Sequence, residues 1–291
     1  MKFIDSSASI MEQTPGLNGI YEAIELAGRT CYKSEDKITD TSAKEFVDRM
    51  LKSGHGAMLE FGTVYLILKD KSYKVINLYS KYNDNKYSRT CLPRINEYNG
   101  EIYITTNYRV IMQGGYDTWD EAQKNNYDKN WLDDLKYLCE PTEYHEKRIC
   151  ARFYCSIAIS RELNRHRVNS IAEMSTRYCN FSKDKFGNEV TFIKPEWFDE
   201  NIEGQACFIK ACEEAEDHYF WMIEELNMKP QQARDILPLS TMTEVNHCAF
   251  VSDWKHFFNL RSSHAGAKGM HPDMDVLANQ LYDTFKNRNF C

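Results

Sequence analysis

The chain has 291 residues, of which 42% are hydrophobic and 27% charged, with a formal net charge of -7. This length and composition suit a globular protein with a substantial core, either one large domain or two small ones. The acidic balance argues against a dedicated nucleic-acid binder, which carries a basic face, and no apolar run reaches membrane-spanning length. Met1–Ile10 lacks the basic-then-apolar build of a secretion signal. A cytoplasmic location is therefore expected, with the 10 cysteines reduced and packed. No C-x-x-C pair occurs, the nearest spacings being Cys150/Cys155 and Cys207/Cys212, so no metal site is expected.

Taken in order, Leu17–Ala27 carries Leu17, Ile20, Ile24 and Ala27 at helical spacing. Ser42 and Glu45 have the spacing of a capping box, Phe46, Met50 and Leu51 line one face, and Gly54 stops that helix. His55 and Glu60 bracket a short connection, after which Thr63–Leu68 reads as a buried strand. Residues 70–145 are rich in Tyr, Asn, Lys and Asp, with a strand pattern at Glu101–Thr105 and a helical one at Asn130–Leu138. They read as an elaboration on the core.

Arg148–Ile157 alternates, putting Ile149, Ala151, Phe153, Cys155 and Ile157 on one face of a strand. Ser160 is placed to cap a short helix ending near Arg165–Arg167. Ala206–Asn227 predicts a long amphipathic helix, with a stripe of Ile209, Cys212, Ala215, Tyr219, Met222, Ile223 and Leu226. Pro230–Leu237 predicts one or two turns carrying Arg234. Asp253–Leu260 buries Trp254, Phe257 and Phe258, with Arg261 following at its end. Pro272 opens a last helix, with Met274, Leu277, Leu281 and Phe285 inward. The fold class expected is α+β, a central mixed or antiparallel sheet flanked by several helices.

The densest chemistry lies in Ser160–Tyr178, where Arg165, His166 and Arg167 are consecutive, with Arg161 before them and Arg177 after. Like charges this close are unfavourable unless an anion neutralises them. Guanidinium forks beside hydroxyls suit phosphate. In an extended segment Ser175 and Arg177 would project to one side and share a phosphate. A local basic site in an acidic chain suits a small anionic ligand. Glu173 is the one acid between the R-H-R run and Arg177.

Arg165-His166-Arg167, followed at fixed spacing by Ser170, Ser175 and Arg177, resembles the signature of flavin-dependent thymidylate synthases. R-T-C-Y at Arg29–Tyr32, G-H-G-A-M-L-E at Gly54–Glu60, A-R-D-I-L-P at Ala233–Pro238 and W-K-H-F-F-N-L-R at Trp254–Arg261 resemble further segments of that family, in its order. Singly, Arg234 would read as a surface arginine and His55 or His256 as a structural histidine. Their weight comes from occurring together. The resemblance implies conversion of deoxyuridine monophosphate to thymidylate, with methylenetetrahydrofolate as carbon donor, FAD as cofactor and NADPH as reductant.

By resemblance, Arg261 is the catalytic residue, and Glu162, Arg165, Glu173, Ser175, Arg177, Arg234 and Arg261 hold the nucleotide. His55, Glu60, Arg165, His166, Arg167 and His256 lie on the FAD side. The resemblance also implies a homotetramer with sites shared between subunits, no nucleic acid and no membrane. One departure stands out: the family's flavin-side N-x-R triplet is replaced by Phe250-Val251-Ser252. There is no G-x-G-x-x-G after a strand, so a flavin would be held without a Rossmann turn. Two other activities fit less well: a flavin- and folate-dependent nucleotide hydroxymethylase on the same scaffold, and a non-catalytic nucleic-acid-binding module.

Overall fold

The computed structural model describes residues 1–69, 79–80, 82–92, 101–113 and 134–290. Its centre is a four-stranded antiparallel sheet in the order β2 (Ser7–Met11), β6 (Arg148–Ser156), β9 (Met242–Phe250), β7 (Ser170–Glu173). Two smaller sheets flank it. β1 (Lys2–Ile4) pairs in parallel with β8 (Thr191–Ile193), while β3 (Thr63–Leu68), β5 (Ile102–Asn107) and β4 (Arg89–Cys91) form an antiparallel trio within or bordering the elaboration.

The α+β expectation holds, and alternation explains which face goes where. Ala151, Phe153 and Cys155 of β6, with Val245 and Ala249 of β9, point to one side of the central sheet. There they meet Trp254, Phe257 and Phe258 of α8 (Val251–Arg261) and Met274, Leu277, Leu281 and Phe285 of α9 (Pro272–Asn287). The opposite face meets Ala27 on α1 (Gly16–Thr30) and Phe61, which follows the short helix α3 (Gly56–Leu59). The central sheet is therefore covered by helices on both sides. Between α1 and α2 (Ser42–Ser53), Gly28 permits close approach, since a Cβ there would lie 2.5 Å from the Phe46 ring. Gly54 ends α2 at φ +71°, a left-handed conformation that favours glycine.

Several local expectations are corrected. Ser42 does not cap α2: it is the first helical residue, and its hydroxyl donates to Glu25. Ser160 lies inside helix α5 (Ile157–Leu163), where its hydroxyl bonds the Ile157 carbonyl, and Ser156 is the N-cap, accepting from the Ile159 N–H. Ser175–Cys179 is a turn rather than an extended segment, because the Tyr178 and Cys179 N–H groups both donate to the Ser175 carbonyl. The long helix runs Ile202–Glu224 (α6) and buries only Cys212, Glu216 and Tyr219. Cys150 and Cys248 sit opposite each other in the β6–β9 register and are joined by a disulfide, where reduced cysteines were expected. Of the helical pattern at Asn130–Leu138, residues 130–133 lie outside the described residues and 134–137 form a 3-10 turn. Among the described residues no helix is long and apolar enough to cross a membrane, and no group of His, Cys, Asp and Glu is arranged to hold a metal ion.

Candidate active site

Three groups of polar side chains gather around the ends of β7, β9 and α8. The first is centred on Arg261, the last residue of α8. Its Nη1 lies 2.5 Å from the Glu162 carboxylate on α5, and its Nε donates to His166 Nε2 at 3.4 Å. Accepting at Nε2 requires a neutral ring with its proton on Nδ1. Burial, the Arg261 guanidinium and nearby His256 push the His166 pKa down to about 4, so the ring is neutral at physiological pH. Phe257, one turn before Arg261 on α8, packs edge-on against the same imidazole at 4.9 Å. The aromatic side of α8 thus fixes both the helix and the group that orients its terminal arginine.

The second group forms where two distant turns meet. Arg177 Nε donates to Gln231 at 3.1 Å, and Arg234 Nη1 donates to Thr176 at 3.0 Å. Gln231 lies on the short helix α7 (Pro230–Ala233), and Arg234 begins the 3-10 turn after it. The Ser175 N–H donates to the Cys31 carbonyl, and the Tyr178 ring meets Tyr32 at 5.3 Å, so the S-T-R-Y turn lies against R-T-C-Y. Glu173 bridges this group towards the first, accepting from Thr243 at 3.1 Å and from Asn164 at 3.3 Å.

The third group is interior. Arg148, at the start of β6, donates to the Glu60 carbonyl at 2.7 Å and to Ser170 at 2.6 Å. The Ser170 hydroxyl in turn donates to Glu60 Oε2 at 2.6 Å, and Arg109, on α4 (Tyr108–Gln113), holds Oε1 at 2.5 Å. Burial pulls the Arg148 guanidinium down to about 10, with Glu60 opposing the shift, so it stays charged. Both Glu60 oxygens are therefore engaged within the chain. Sequence reasoning missed Arg148 and Arg109. The available signal for Arg148 was a cation immediately before a strictly alternating apolar run.

His55, Arg165, Arg167 and His256 are exposed, and the His256 ring lies 6.5 Å from that of His166. Among the described residues Arg165 and Arg167 make no ion pair, which leaves two guanidinium groups for an external anion. A cleft of about 200 Å³ lies apart from them, lined in part by Glu12, Gln13, Tyr65, Lys147 and Arg148. Arg29 of the R-T-C-Y segment turns inward instead, to Glu25 at 2.6 Å.

The family described as thymidylate synthase complementing protein matches residues 141–288, just over half of the chain. The chain belongs to this family. The matched region contains the R-H-R run, Ser175, Arg177, Arg234 and Arg261, while His55 and Glu60 precede it. A flavin-dependent thymidylate synthase from Pyrococcus abyssi (strain GE5 / Orsay) is 28% identical over 151 residues, covering 49% of this chain and 61% of that protein. The match therefore spans less than two thirds of the relative's length. Two crystal structures of the UMP/dUMP methylase PolB from Streptomyces cacaoi, bound with 5-Br dUMP and 5-Br UMP, are similar at TM-score 0.46 and 14% identity. They cover 99% of this chain and 93% and 92% of theirs.

Against this family frame, His247 on β9 is a separate feature. It is fully buried, packs on Trp254 at 5.2 Å, and neither ring nitrogen has a hydrogen-bond partner among the described residues. Burial first, then His166 and Arg148, push its pKa to about 3. A histidine depressed below its unfolded value of about 6.5 contributes stability above that pH and loses it as the pH falls through the folded value. Stability should therefore decline from pH 6.5 downward. His247→Phe, which removes two unpartnered nitrogens, should flatten that decline. Melting temperatures at pH 7 and pH 5 check this, and an unchanged difference between them would refute it.

Proposed function

We propose that this chain is a flavin-dependent thymidylate synthase that methylates deoxyuridine monophosphate, using methylenetetrahydrofolate as carbon donor, FAD as cofactor and NADPH as reductant. The observation that carries the reading is the meeting of the turns of Arg177 and Arg234, where Arg177 donates to Gln231 and Arg234 donates to Thr176 beside Ser175. Two guanidinium groups with hydroxyl donors suit a nucleotide phosphate. Glu162, Glu173, Arg165 and Arg261 complete the nucleotide set in this proposal.

For the cofactor, the donor chemistry fits. Arg165 and Arg167 are exposed without a carboxylate partner among the described residues, and His55, His166 and His256 supply imidazole nitrogens. Glu60 belongs to this side as the group that fixes the His55 turn against Ser170. When bound, the flavin supplies the hydride. The chain's own task is to make the pyrimidine carbon nucleophilic. A fixed guanidinium at Arg261 favours loss of the ring proton between the two carbonyls by stabilising the anion that results. A homotetramer is part of the proposal: Val168, Ile236, Leu239 and Leu260 are exposed apolar side chains close in sequence to the site arginines, and burial between copies would cover them.

The test is titration of the purified chain with FAD and then with deoxyuridine monophosphate. Flavin absorbance should be retained and bleached by NADPH, and thymidylate should form when methylenetetrahydrofolate is added. Arg177→Ala should weaken the nucleotide far more than uncharged deoxyuridine. A protein that neither binds FAD nor is stabilised by it would sink the reading, and equal losses for nucleotide and nucleoside would remove the phosphate assignment.

A further inference from the structure

The chain leaves the central fold after Glu60 and returns at Arg148, and among the described residues the intervening segment sends two arginines back into it. Arg109 reaches Glu60, as described. The other, Arg89 on β4, reaches the opening turn of α8. Its Nη2 lies 3.4 Å from Asp253 and its Nε 3.6 Å from Glu146, while its guanidinium carbon sits 4.3 Å over the Phe250 ring. Its Nη1 donates to the Lys86 and Ser88 carbonyls at 3.3 and 3.1 Å, which ties the same group to the inserted sheet.

That turn needs outside support. Phe250 occupies the N-cap position of α8 and has no side-chain oxygen to cap it. Glu146, from the segment before β6, supplies one acceptor by taking the Ser252 N–H at 2.9 Å. Asp253 lies in the first turn of the helix. Two carboxylates suit a helix N-terminus, but they repel each other, and Arg89 is the cation placed against both.

We propose that Arg89 is a positioning residue through which the inserted sheet fixes the N-terminal turn of α8, and with it the helix that carries His256 and Arg261. The functional part of this rests on the synthase reading; the structural part does not. It gives the elaboration a role in the site. It also accounts for Phe250 and Ser252 standing where a polar, cationic pair was expected: the cation arrives from another element. Arg89 is about one third exposed, so its ion pairs are screened and their effect is moderate.

The charges around Asp253 fix the sign of a pH signature. The groups that face it are Arg89 from β4, Glu146 from the preceding segment and Arg148 from β6. Burial raises the Asp253 carboxyl, Arg89 lowers it, and Glu146 raises it again. An acid with a raised folded pKa loses stability as the pH climbs from its unfolded value through the folded one. Removing Arg89 enlarges that loss, so its absence is felt more at pH 8 than at pH 5.

The experiment compares the full-length wild type with Arg89→Met and Arg89→Lys, using amide hydrogen exchange resolved by segment and the Kd of deoxyuridine monophosphate. Arg89→Met should raise exchange across residues 251–261 by about fivefold or more, leave β6 and β9 unchanged, and weaken the nucleotide by a similar factor. Arg89→Lys should keep most of both, and the deficit of Arg89→Met should shrink at pH 5. Unchanged exchange in α8 would overturn the proposal, as would equal loss across β6 and β9 or failure of lysine to rescue. If the wild type itself binds no nucleotide, the synthase reading fails, while the exchange result still decides the role of Arg89. Should Arg89→Met not fold, Arg89→Lys at the two pH values decides it: loss of α8 protection at both would overturn the charge argument.

Discussion

If the chain is the proposed synthase, an Arg261→Ala variant is expected to keep FAD and its reduction by NADPH but to form thymidylate about 100- to 1,000-fold more slowly. The expectation follows from how the guanidinium is held. Glu162 fixes Nη1 and the neutral His166 ring accepts from Nε, so two partners on different elements set its plane. A cation whose orientation is set beforehand needs little reorganisation when charge develops on the pyrimidine ring. Arg261→Lys keeps the charge but loses the planar fork, so a comparable loss is expected. Single-turnover assays with pre-bound flavin separate this from cofactor loss. A near wild-type rate for Arg261→Ala would make the arginine structural.

The second large effect concerns stability. Arg148→Met fills much of the same volume but leaves the Glu60 carbonyl and the Ser170 hydroxyl without their donor, while Arg109 still holds the Glu60 carboxylate. Leaving these buried acceptors without their charged donor costs about 2–4 kcal/mol. For a chain of this size that lowers the melting temperature by roughly 5 °C. Arg148→Lys should fall between the two, since one ammonium cannot reach both acceptors with the same geometry. Thermal melting of the three proteins checks this, and a shift of only about 2 °C in Arg148→Met would show that the network contributes little.

Legibility differed by element, for physical reasons. β3 was readable as a short continuous apolar run and α9 because its apolar residues keep one period, with Met274, Leu277, Leu281 and Phe285 all buried as the spacing predicts. β9, a central strand of the molecule, was not. Its run M-T-E-V-N-H-C-A-F places Glu244, Asn246 and His247 in the interior, where pairing and enclosure by neighbouring elements decide the matter rather than polarity. Glu244 is held by Lys33 and by Arg152 at 2.9 Å, contacts far apart in sequence. The site arginines were visible as a cluster, because motif spacing survives without knowledge of the fold. What could not be read was which acids they would meet. Glu162 is near in sequence to the R-H-R run yet pairs with Arg261, and Glu60 finds its cations in Arg109 and Arg148.

The Arg148–Glu60 hydrogen bond joins residues 88 positions apart. Bringing such distant points together in a disordered chain costs roughly 4 kcal/mol of closure entropy before any contact forms. β3 and β5 already run antiparallel with Thr63 opposite Asn107, so pairing within the insertion shortens the path that remains. With the inserted strands paired, the stretch from Asn107 to Arg148 sets the loop that this contact closes. The Glu60–Ser170–Arg148 network therefore closes a shorter loop, at a lower entropic cost, than the sequence separation alone implies.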